Sequence, residues 1–348
     1  MYFDIEVKEK REDLYNHDNE YRVLKGMLAE GKKLIVVKGV RRVGKTSLMK
    51  VVYCGLEKPK IWIDGRTTEK NGHALMEWAV GEIWRQVDIK STALSVLSSI
   101  SVGPVSLKKD GRAQILERMA EELNSHLKKK KLNARIFIDE AQLINGLAGP
   151  LSYFYDHFSN FQFVVSGSEV GVLSRFTGSD PDSPLFGRLR EEIEVERLPP
   201  ESAKEYLKLG SLQSGKETSK YEIDDAVERL DGLIGWLTYY GYRRMEMSHE
   251  EALKNVLDDA KIIVKAEVEA FLKKRKGKGR RYLGIIKALS RGPLTWTDIK
   301  RSLLLEENAK ISSGRLNDYL EALISHSFIS KSGDEYSLSD PILKIAFR

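Results

Sequence analysis

The chain has 348 residues, of which 41% are hydrophobic and 31% are charged. This length predicts two or three domains, and the composition is typical of a globular protein with enough apolar residues for real cores. The net charge of +6 is mild, so it permits an acidic partner without requiring one. No segment approaches the ~20 apolar residues that cross a bilayer, and the N-terminus lacks the pattern of a signal peptide. We therefore expect a cytoplasmic protein without membrane contact.

The cysteine content excludes two common ways of stabilising a fold. With one cysteine, Cys54, the chain forms neither an intramolecular disulfide nor a zinc cluster. Because Cys54 lies in the apolar part of a predicted helix, we expect it to be a small core residue.

The first 200 residues alternate short, β-branched apolar runs with segments of helical periodicity. This alternation is typical of a parallel sheet covered by helices. Helices are predicted at residues 74–87 and 112–130, and the Ser-rich stretch 91–107 between them is predicted to be a mobile insertion. The candidate strands are residues 34–37, 60–64, 134–138, 161–166 and 192–196.

After Pro199-Pro200 the pattern becomes entirely helical, and a second module follows. The predicted helices of this part are residues 201–209, 221–230, 236–246 and 250–272. The basic, glycine-containing stretch 273–281 reads as a linker, and three helices plus a hairpin after it suggest a winged helix. We therefore expect an α/β core at residues 1–200, a helical lid at 201–275 and a winged helix at 276–348.

The strongest motif is G-x-x-x-x-G-K-T at residues 39–46, preceded by an apolar strand and followed by a helix. Such a loop directs backbone N–H groups into one concavity at a helix N-terminus, where phosphates bind. Lys45 is expected to reach the β- and γ-phosphates, and the Thr46 hydroxyl is the expected Mg²⁺ ligand. The side chains of Arg41 and Arg42 face either solvent or a partner. The predicted nucleotide-binding residues are Gly39, Val40, Arg41, Arg42, Val43, Gly44, Lys45, Thr46 and Ser47.

A pair of carboxylates at the end of a predicted strand supplies the second half of the site. Asp139 is expected to act on the Mg²⁺ shell, and Glu140 to orient or deprotonate the attacking water. Without the phosphate loop, the pair would read as surface carboxylates at a strand end. Together the two motifs predict hydrolysis of a nucleoside triphosphate.

Two further candidates are less determined. Ser168 or Ser166, after the next strand, is expected to sense the γ-phosphate, or else to cap the following helix. Arg188, after a glycine turn, is expected to stabilise charge on the γ-phosphate, either in its own subunit or across an interface. The alternative for Arg188 is an ion pair with Glu191 or Glu192.

The order of these motifs resembles that of the archaeal ATPase family, which belongs to the signal-transduction ATPases with numerous domains within the AAA+ group. The resemblance covers nearly the whole chain and implies a five-stranded parallel core, a helical lid and a C-terminal winged helix. It also implies ATP or ADP bound between core and lid as a switch. Besides the phosphate loop, the motifs that carry it are Asp139-Glu140-Ala141-Gln142, residues 166–171, Pro184-Leu-Phe-Gly-Arg188, residues 231–237 and residues 336–341.

The chain departs from the family pattern at two places. The Arg-Glu pair usual before the first strand is replaced by residues 17–20, His-Asp-Asn-Glu, so an arginine contact is not expected there. In the lid motif, Ile234 stands where a proline is usual. Because proline would fix the turn near the adenine, its loss is expected to loosen the lid, although Gly235 can still make the bend.

The winged helix has a weak signature for reading DNA sequence. Its third helix carries Arg315 but also Asp318 and Glu321, whereas a helix that enters the major groove normally brings several cations. The alternatives are that the module docks on the nucleotide domain, that it binds a protein partner, or that it holds DNA through the winged helix and the basic linker. Trp236 and Trp296 are expected to be packing residues.

The sequence thus favours a slow, Mg²⁺-dependent ATPase that acts as an ATP/ADP switch. The alternative is a DNA- or protein-binding regulator in which tightly bound ADP is structural and contributes stability by mass action. A small-molecule kinase is disfavoured because no acceptor site accompanies the carboxylates, and a helicase because a second core is lacking. The oligomeric state stays open.

Overall fold

The computed structural model describes residues 1–87, 109–275, 277–307 and 311–348, so the insertion predicted at 91–107 lies outside the described residues. Residues 1–200 form five strands and six α-helices in the described part. The strands are β1 Leu34–Lys38, β2 Lys60–Asp64, β3 Ala134–Asp139, β4 Phe161–Gly167 and β5 Glu191–Glu194. The helices are α1 Asp18–Ala29, α2 Lys45–Cys54, α3 Gly72–Gln86, α4 Lys109–Lys130, α5 Ala148–His157 and α6 Val170–Ser174.

All five strands are parallel, in the order β2-β3-β4-β1-β5. The predicted parallel α/β core is therefore confirmed. Side chains of alternate residues point to opposite faces of a strand, and both faces are buried: Ile35 and Val37 pack in one core, Leu34 and Val36 in the other. Because β4 lies between β1 and β3, its carboxyl end separates the phosphate loop from Asp139.

The segment after β5 is helical, as predicted. Its helices are α7 Pro200–Ser214, α8 Lys220–Leu230, α9 Ile234–Arg244 and α10 His249–Lys273. Residues of the N-terminus also pack on this lid: Phe3 is buried, and a Cβ at Gly210 or Gly241 would lie within 2.3 Å of its ring. No sequence pattern indicated that contact.

The last module contains three helices, a three-stranded antiparallel sheet in the order β6-β8-β7 and a short terminal helix, the arrangement of a winged helix. The elements are α11 Gly279–Leu289, β6 Leu294–Thr295, α12 Trp296–Glu307, α13 Ser313–Ser325, β7 Ile329–Ser332, β8 Glu335–Leu338 and α14 Pro341–Phe347. Its apolar core is continuous with that of the lid and one face of the large sheet. Trp236 is buried in this core, as expected for a packing residue.

The prediction that Cys54 is a core residue was wrong. Cys54 is the last residue of α2 and is exposed, because the apolar face of α2 turns Leu48, Met49 and Val52 inward instead.

Within the described residues, no helix combines the length and apolarity required to span a membrane.

Candidate nucleotide-binding site

The phosphate loop connects the end of β1 to the start of α2 through two glycines with positive φ. Gly39 has φ 153° and Gly44 has φ 98°, values that L side chains rarely adopt. A Cβ at Gly39 would also lie 2.2 Å from the carbonyl oxygen of Val195, so only glycine fits there. The loop therefore holds its backbone amides at the N-terminus of α2, where an anion is favoured.

Lys45 is buried at the base of this loop, with 5% of its surface exposed. Its Nζ donates a hydrogen bond to the carbonyl oxygen of Val40 at 2.8 Å. Burial lowers the pKa of Lys45 to about 8, while the nearby charges of Glu140 and Asp139 oppose this shift. A phosphate at the loop would supply the negative charge that this buried ammonium lacks.

Asp139 ends β3 and is bonded on both of its oxygens. The Thr46 hydroxyl donates to its Oδ2 at 2.9 Å, and the Ser166 hydroxyl donates to its Oδ1. The strand register explains the second contact, since Ile138 pairs with Val165 and the next residue on each strand is Asp139 and Ser166. Adjacent hydroxyl and carboxylate oxygens fit Mg²⁺, which proteins commonly hold with one or two carboxylates plus substrate phosphates. Thr46 and Asp139 would hold the ion, and Mg²⁺ would neutralise charge on the β- and γ-phosphates.

Glu140 is held in a left-handed conformation, with φ 51°, immediately after β3. Its Oε2 accepts three hydrogen bonds: from the backbone N–H of Ser168 at 3.1 Å, from the Ser168 hydroxyl at 3.0 Å and from the Gln142 amide at 2.7 Å. Ser168 therefore contacts the predicted base, while Ser166 contacts the predicted metal ligand. The two serines that the sequence left as alternatives have different partners.

A cavity of about 640 Å³ opens beside these groups. Its walls come from the phosphate loop, the lid and the N-terminal segment, which includes Tyr15 and His17. His17 is 3% exposed, and its Nε2 lies 3.0 Å from the carbonyl oxygen of Val43; burial lowers its pKa. The first residue of segment 17–20, where the chain departs from the family pattern, thus contacts the loop backbone. Ile234 also lines the cavity, which has the volume typical of small-ligand sites.

Arg188 does not line this cavity. Its Nε donates to Asp156 of α5 at 2.9 Å, and Asp156 holds the pKa of Arg188 above its usual value. The alternative partners are engaged elsewhere: Glu191 pairs with Lys32, and Glu192 pairs with Lys38 and Arg190. A role for Arg188 at the γ-phosphate stays a prediction, and within one subunit Arg188 would first have to leave Asp156.

The side chains of the two loop arginines border the cavity and extend to Glu169, the lid and the C-terminal module. Arg42 bonds Glu267 of α10 at 2.6 Å and Asp340, which precedes α14, at 3.3 Å. Its guanidinium lies 4.2 Å from the ring centre of Trp236. Arg41 donates to the carbonyl oxygen of His326 at 3.1 Å and to Glu169 at 3.1 Å. We call this set the arginine clasp. The sequence left solvent and a partner as the alternatives for these side chains, whereas the contacts observed lie within the chain itself.

Asp340 is the most enclosed charged residue of the clasp, with 8% of its surface exposed. Besides Arg42 it accepts hydrogen bonds from the Trp236 indole at 3.1 Å and from the backbone N–H of Ile342 at 2.9 Å. Burial raises the pKa of Asp340, whereas Arg42 opposes that shift. A buried carboxylate needs such partners, so the phosphate loop and the winged helix depend on each other here.

Sequence reasoning missed Arg66, which reaches Asp139 from the end of β2. Its Nη2 lies 3.2 Å from Asp139 Oδ2. The feature that could have found Arg66 is its place just after the predicted strand 60–64. The carboxyl ends of parallel strands lie at one edge of the sheet, and β2 and β3 are parallel neighbours, so residues after Asp64 lie at the same edge as Asp139. The clasp, in contrast, has no sequence signal, because its members are up to 298 residues apart.

Comparisons with known proteins agree with this geometry. Residues 14–239 match the family described as an ATPase domain predominantly from Archaea, and residues 273–339 match the C-terminal winged helix-turn-helix domain of MCM proteins. A Walker-type ATPase of Pyrococcus abyssi is similar over 100% of both chains, with 28% identity and a TM-score of 0.82. The ORC2 protein of Aeropyrum pernix, solved as ADPNP-ADP complexes, shares the fold at 14% identity, with a TM-score of 0.64 over 99% of this chain and 95% of that one.

No curated protein sequence matches the chain significantly. The family match nevertheless covers more than half of its length and includes the phosphate loop, both carboxylates and the start of the lid. The chain therefore belongs to the family of ATPase domains found predominantly in Archaea, as an ATP-binding protein with a C-terminal winged helix.

Proposed function

We propose that this protein is a switch of the signal-transduction ATPase class, in which bound ATP or ADP controls how the winged helix is attached. The observation that carries the proposal is the arginine clasp: Arg41 and Arg42 belong to the phosphate loop, yet their side chains bind the lid, Glu169 and the winged helix. A loop that moves when the γ-phosphate leaves would change these contacts directly. In this scheme residues 1–200, 201–275 and 276–348 act as three units.

Hydrolysis in this scheme is slow and requires Mg²⁺ at Thr46 and Asp139. Three donors already engage one oxygen of Glu140. To orient or deprotonate a water, the carboxylate has to use its other oxygen or give up some of these bonds, and each such bond contributes about 1 kcal/mol or more. Lys45 and Ser168 would contact the terminal phosphates, and Arg188 would act there only after release from Asp156.

The partner of the switch is an acidic surface, either of a protein or of DNA. Residues 273–348 contain sixteen Lys and Arg against eight Asp and Glu, so the positive charge of the chain is concentrated in the linker and winged helix. On α13, however, exposed Arg315 is outnumbered by exposed Asp318 and Glu321. This distribution favours backbone or acidic-surface contacts over reading of base edges by α13.

The test compares amide hydrogen exchange at residues 326–340 in protein loaded with ADP and with a non-hydrolysable ATP analogue plus Mg²⁺. We expect faster exchange with the ATP analogue, because the clasp loosens. In Arg42→Ala protein, exchange should be fast with both nucleotides, since loss of a charged hydrogen-bonding partner removes about 1.5–3 kcal/mol. Arg22→Ala, an exposed arginine of α1, is the matched control. Equal exchange in both states of the native protein contradicts the switch.

The second candidate, a regulator with structural ADP, has the buried Lys45 in its favour, because a permanent phosphate would compensate that ammonium. It is correct if removal of ADP unfolds the protein and no phosphate is released from ATP. If phosphate is released, as the switch requires, turnover with and without duplex DNA separates the two kinds of partner, since stimulation by DNA supports DNA and indifference supports a protein.

A further inference from the structure

Arg66 brings a guanidinium to the same oxygen that Thr46 contacts. Its Nη2 lies 3.2 Å from Oδ2 of Asp139, and the Thr46 hydroxyl lies 2.9 Å from that oxygen. Asp64 also holds this guanidinium. Arg66 Nε donates to Asp64 Oδ1 at 2.9 Å, and the same Nη2 that contacts Asp139 donates to Asp64 Oδ2 at 2.7 Å. Arg66 thus occupies the face of Asp139 beside the expected metal ligand.

The two partners differ sharply in burial. Asp139 is 1% exposed, whereas the Arg66 side chain is 53% exposed and borders the nucleotide cavity. A buried carboxylate is costly unless a cation or several donors compensate it. The charge of Lys45 also acts on Asp139, but the Nζ of Lys45 donates its hydrogen bond to the carbonyl oxygen of Val40. Arg66 is therefore the cation that forms an ion pair with Asp139 in the described part of the chain.

We propose that Arg66 is an exchangeable counter-ion for Asp139, paired with it when no metal is bound and released from it when Mg²⁺ occupies the site. This inference rests on the proposed metal and nucleotide site. A guanidinium and a divalent cation on one carboxylate oxygen repel each other, so both cannot be held at full strength. Asp64 retains Arg66 through two hydrogen bonds, and the open cavity beside it gives the side chain room to turn.

The exchange has a reciprocal consequence. Arg66 weakens metal binding, and bound metal weakens the Arg66–Asp139 pair by the same factor. The site stays electrically compensated while it holds no metal, and its metal affinity is lower than the donor set alone would give. Arg66 is on this view a positioning residue that acts through Asp139.

The test titrates Mn²⁺ into ADP-saturated protein and follows free Mn²⁺ by electron paramagnetic resonance, so that no turnover is needed. Arg66→Gln should bind Mn²⁺ about fivefold more tightly than the native protein, because a half-exposed ion pair contributes about 1 kcal/mol. Arg85→Gln, which removes an exposed arginine paired with Glu82 on α3, should leave the affinity unchanged.

A second measurement separates exchange from a merely structural role. Arg66→Gln should lower the melting temperature in EDTA, and the loss should be smaller with Mn²⁺ and ADP, because the metal then compensates Asp139. Unchanged or weaker Mn²⁺ binding by Arg66→Gln would overturn the inference. Native protein that binds ADP but no Mn²⁺ would contradict the proposed metal site itself and this inference with it.

Discussion

The phosphate loop has two sides that are built differently. On the inner side, Lys45 and Thr46 face Asp139 and Glu140 through groups whose positions follow from strand ends and a helix start. On the outer side, the arginine clasp uses two long, flexible side chains to reach residues that are distant in sequence. In the proposed function the inner side holds and hydrolyses the nucleotide, whereas the outer side joins the loop to another module. One loop of eight residues would thus combine the chemistry with coupling to the winged helix.

The difference also lies in rigidity. Backbone hydrogen bonds of β1, β3 and β4 fix the inner groups, so small changes there should affect catalysis without moving the winged helix. Side-chain ion pairs fix the outer groups, and such pairs respond to protonation and to the loss of a single partner. Variants on the two sides should therefore have separable effects.

The largest effect is expected from Glu140→Gln on the inner side. The substitution keeps an acceptor for Ser168 but removes the base, so ATP turnover should fall about 10²- to 10⁴-fold. Nucleotide affinity and hydrogen exchange at residues 326–340 should not change. Phosphate release and nucleotide titration measure the two quantities, with Glu122→Gln on the exposed face of α4 as the control. Undiminished hydrolysis by purified Glu140→Gln protein would remove Glu140 from the role of base.

An intermediate effect is expected from the protonation of Lys45. The pKa of Lys45 is lowered to about 8 without nucleotide. Its side chain is therefore positively charged below that pH and loses this charge as the pH rises. ADP affinity should accordingly be highest below pH 8 and should fall by up to about tenfold per pH unit above it. Calorimetric titration between pH 7 and pH 9.5 measures this. In Lys45→Arg the fall should disappear, because arginine stays charged, and Lys45→Ala should bind weakly throughout. A flat profile in the native protein would show that Lys45 does not contact phosphate.

The smallest effect is expected on the outer side, at His326. Burial lowers its pKa, and Arg275 and Arg175 add to the decrease, whereas the Ala322 carbonyl and Glu169 oppose it. Since the unfolded state takes up a proton first, the stability from this group is complete above pH 6.5 and decreases as the pH falls below it. The melting temperature should therefore drop between pH 7.5 and pH 5.5, and by less in His326→Gln.

The pKa of His17 is also lowered, so His17 likewise destabilises the folded state as the pH falls. His326→Gln should therefore keep part of the decrease in melting temperature in acid. ADP affinity should be equal in His326→Gln and native protein at pH 7.5, because His326 lies on the outer side. An unchanged pH dependence in the variant, or a loss of ADP binding, would contradict the separation of the two sides.

Local sequence carries much of the inner site. The strand before residue 39 and the acidic pair at the end of β3 were predictable because β-branched runs, glycine turns and strand ends impose the same backbone geometry in many folds. The parallel order of the strands then brings Asp139 close to Thr46. What the sequence could not separate was Ser166 from Ser168, since their partners depend on the one-residue register between β3 and β4.

The sequence by itself determined the α/β core, the phosphate loop, the pair Asp139-Glu140 and the winged-helix module, because each rests on periodicity or on contacts between near neighbours. The tertiary structure decided the direction of Arg41 and Arg42, the pairing of Arg66 with Asp139, the pairing of Arg188 with Asp156 and the exposure of Cys54. These features arise from packing between elements far apart in the chain. A long charged side chain can reach several partners, and which pair forms depends on which elements the fold brings next to it.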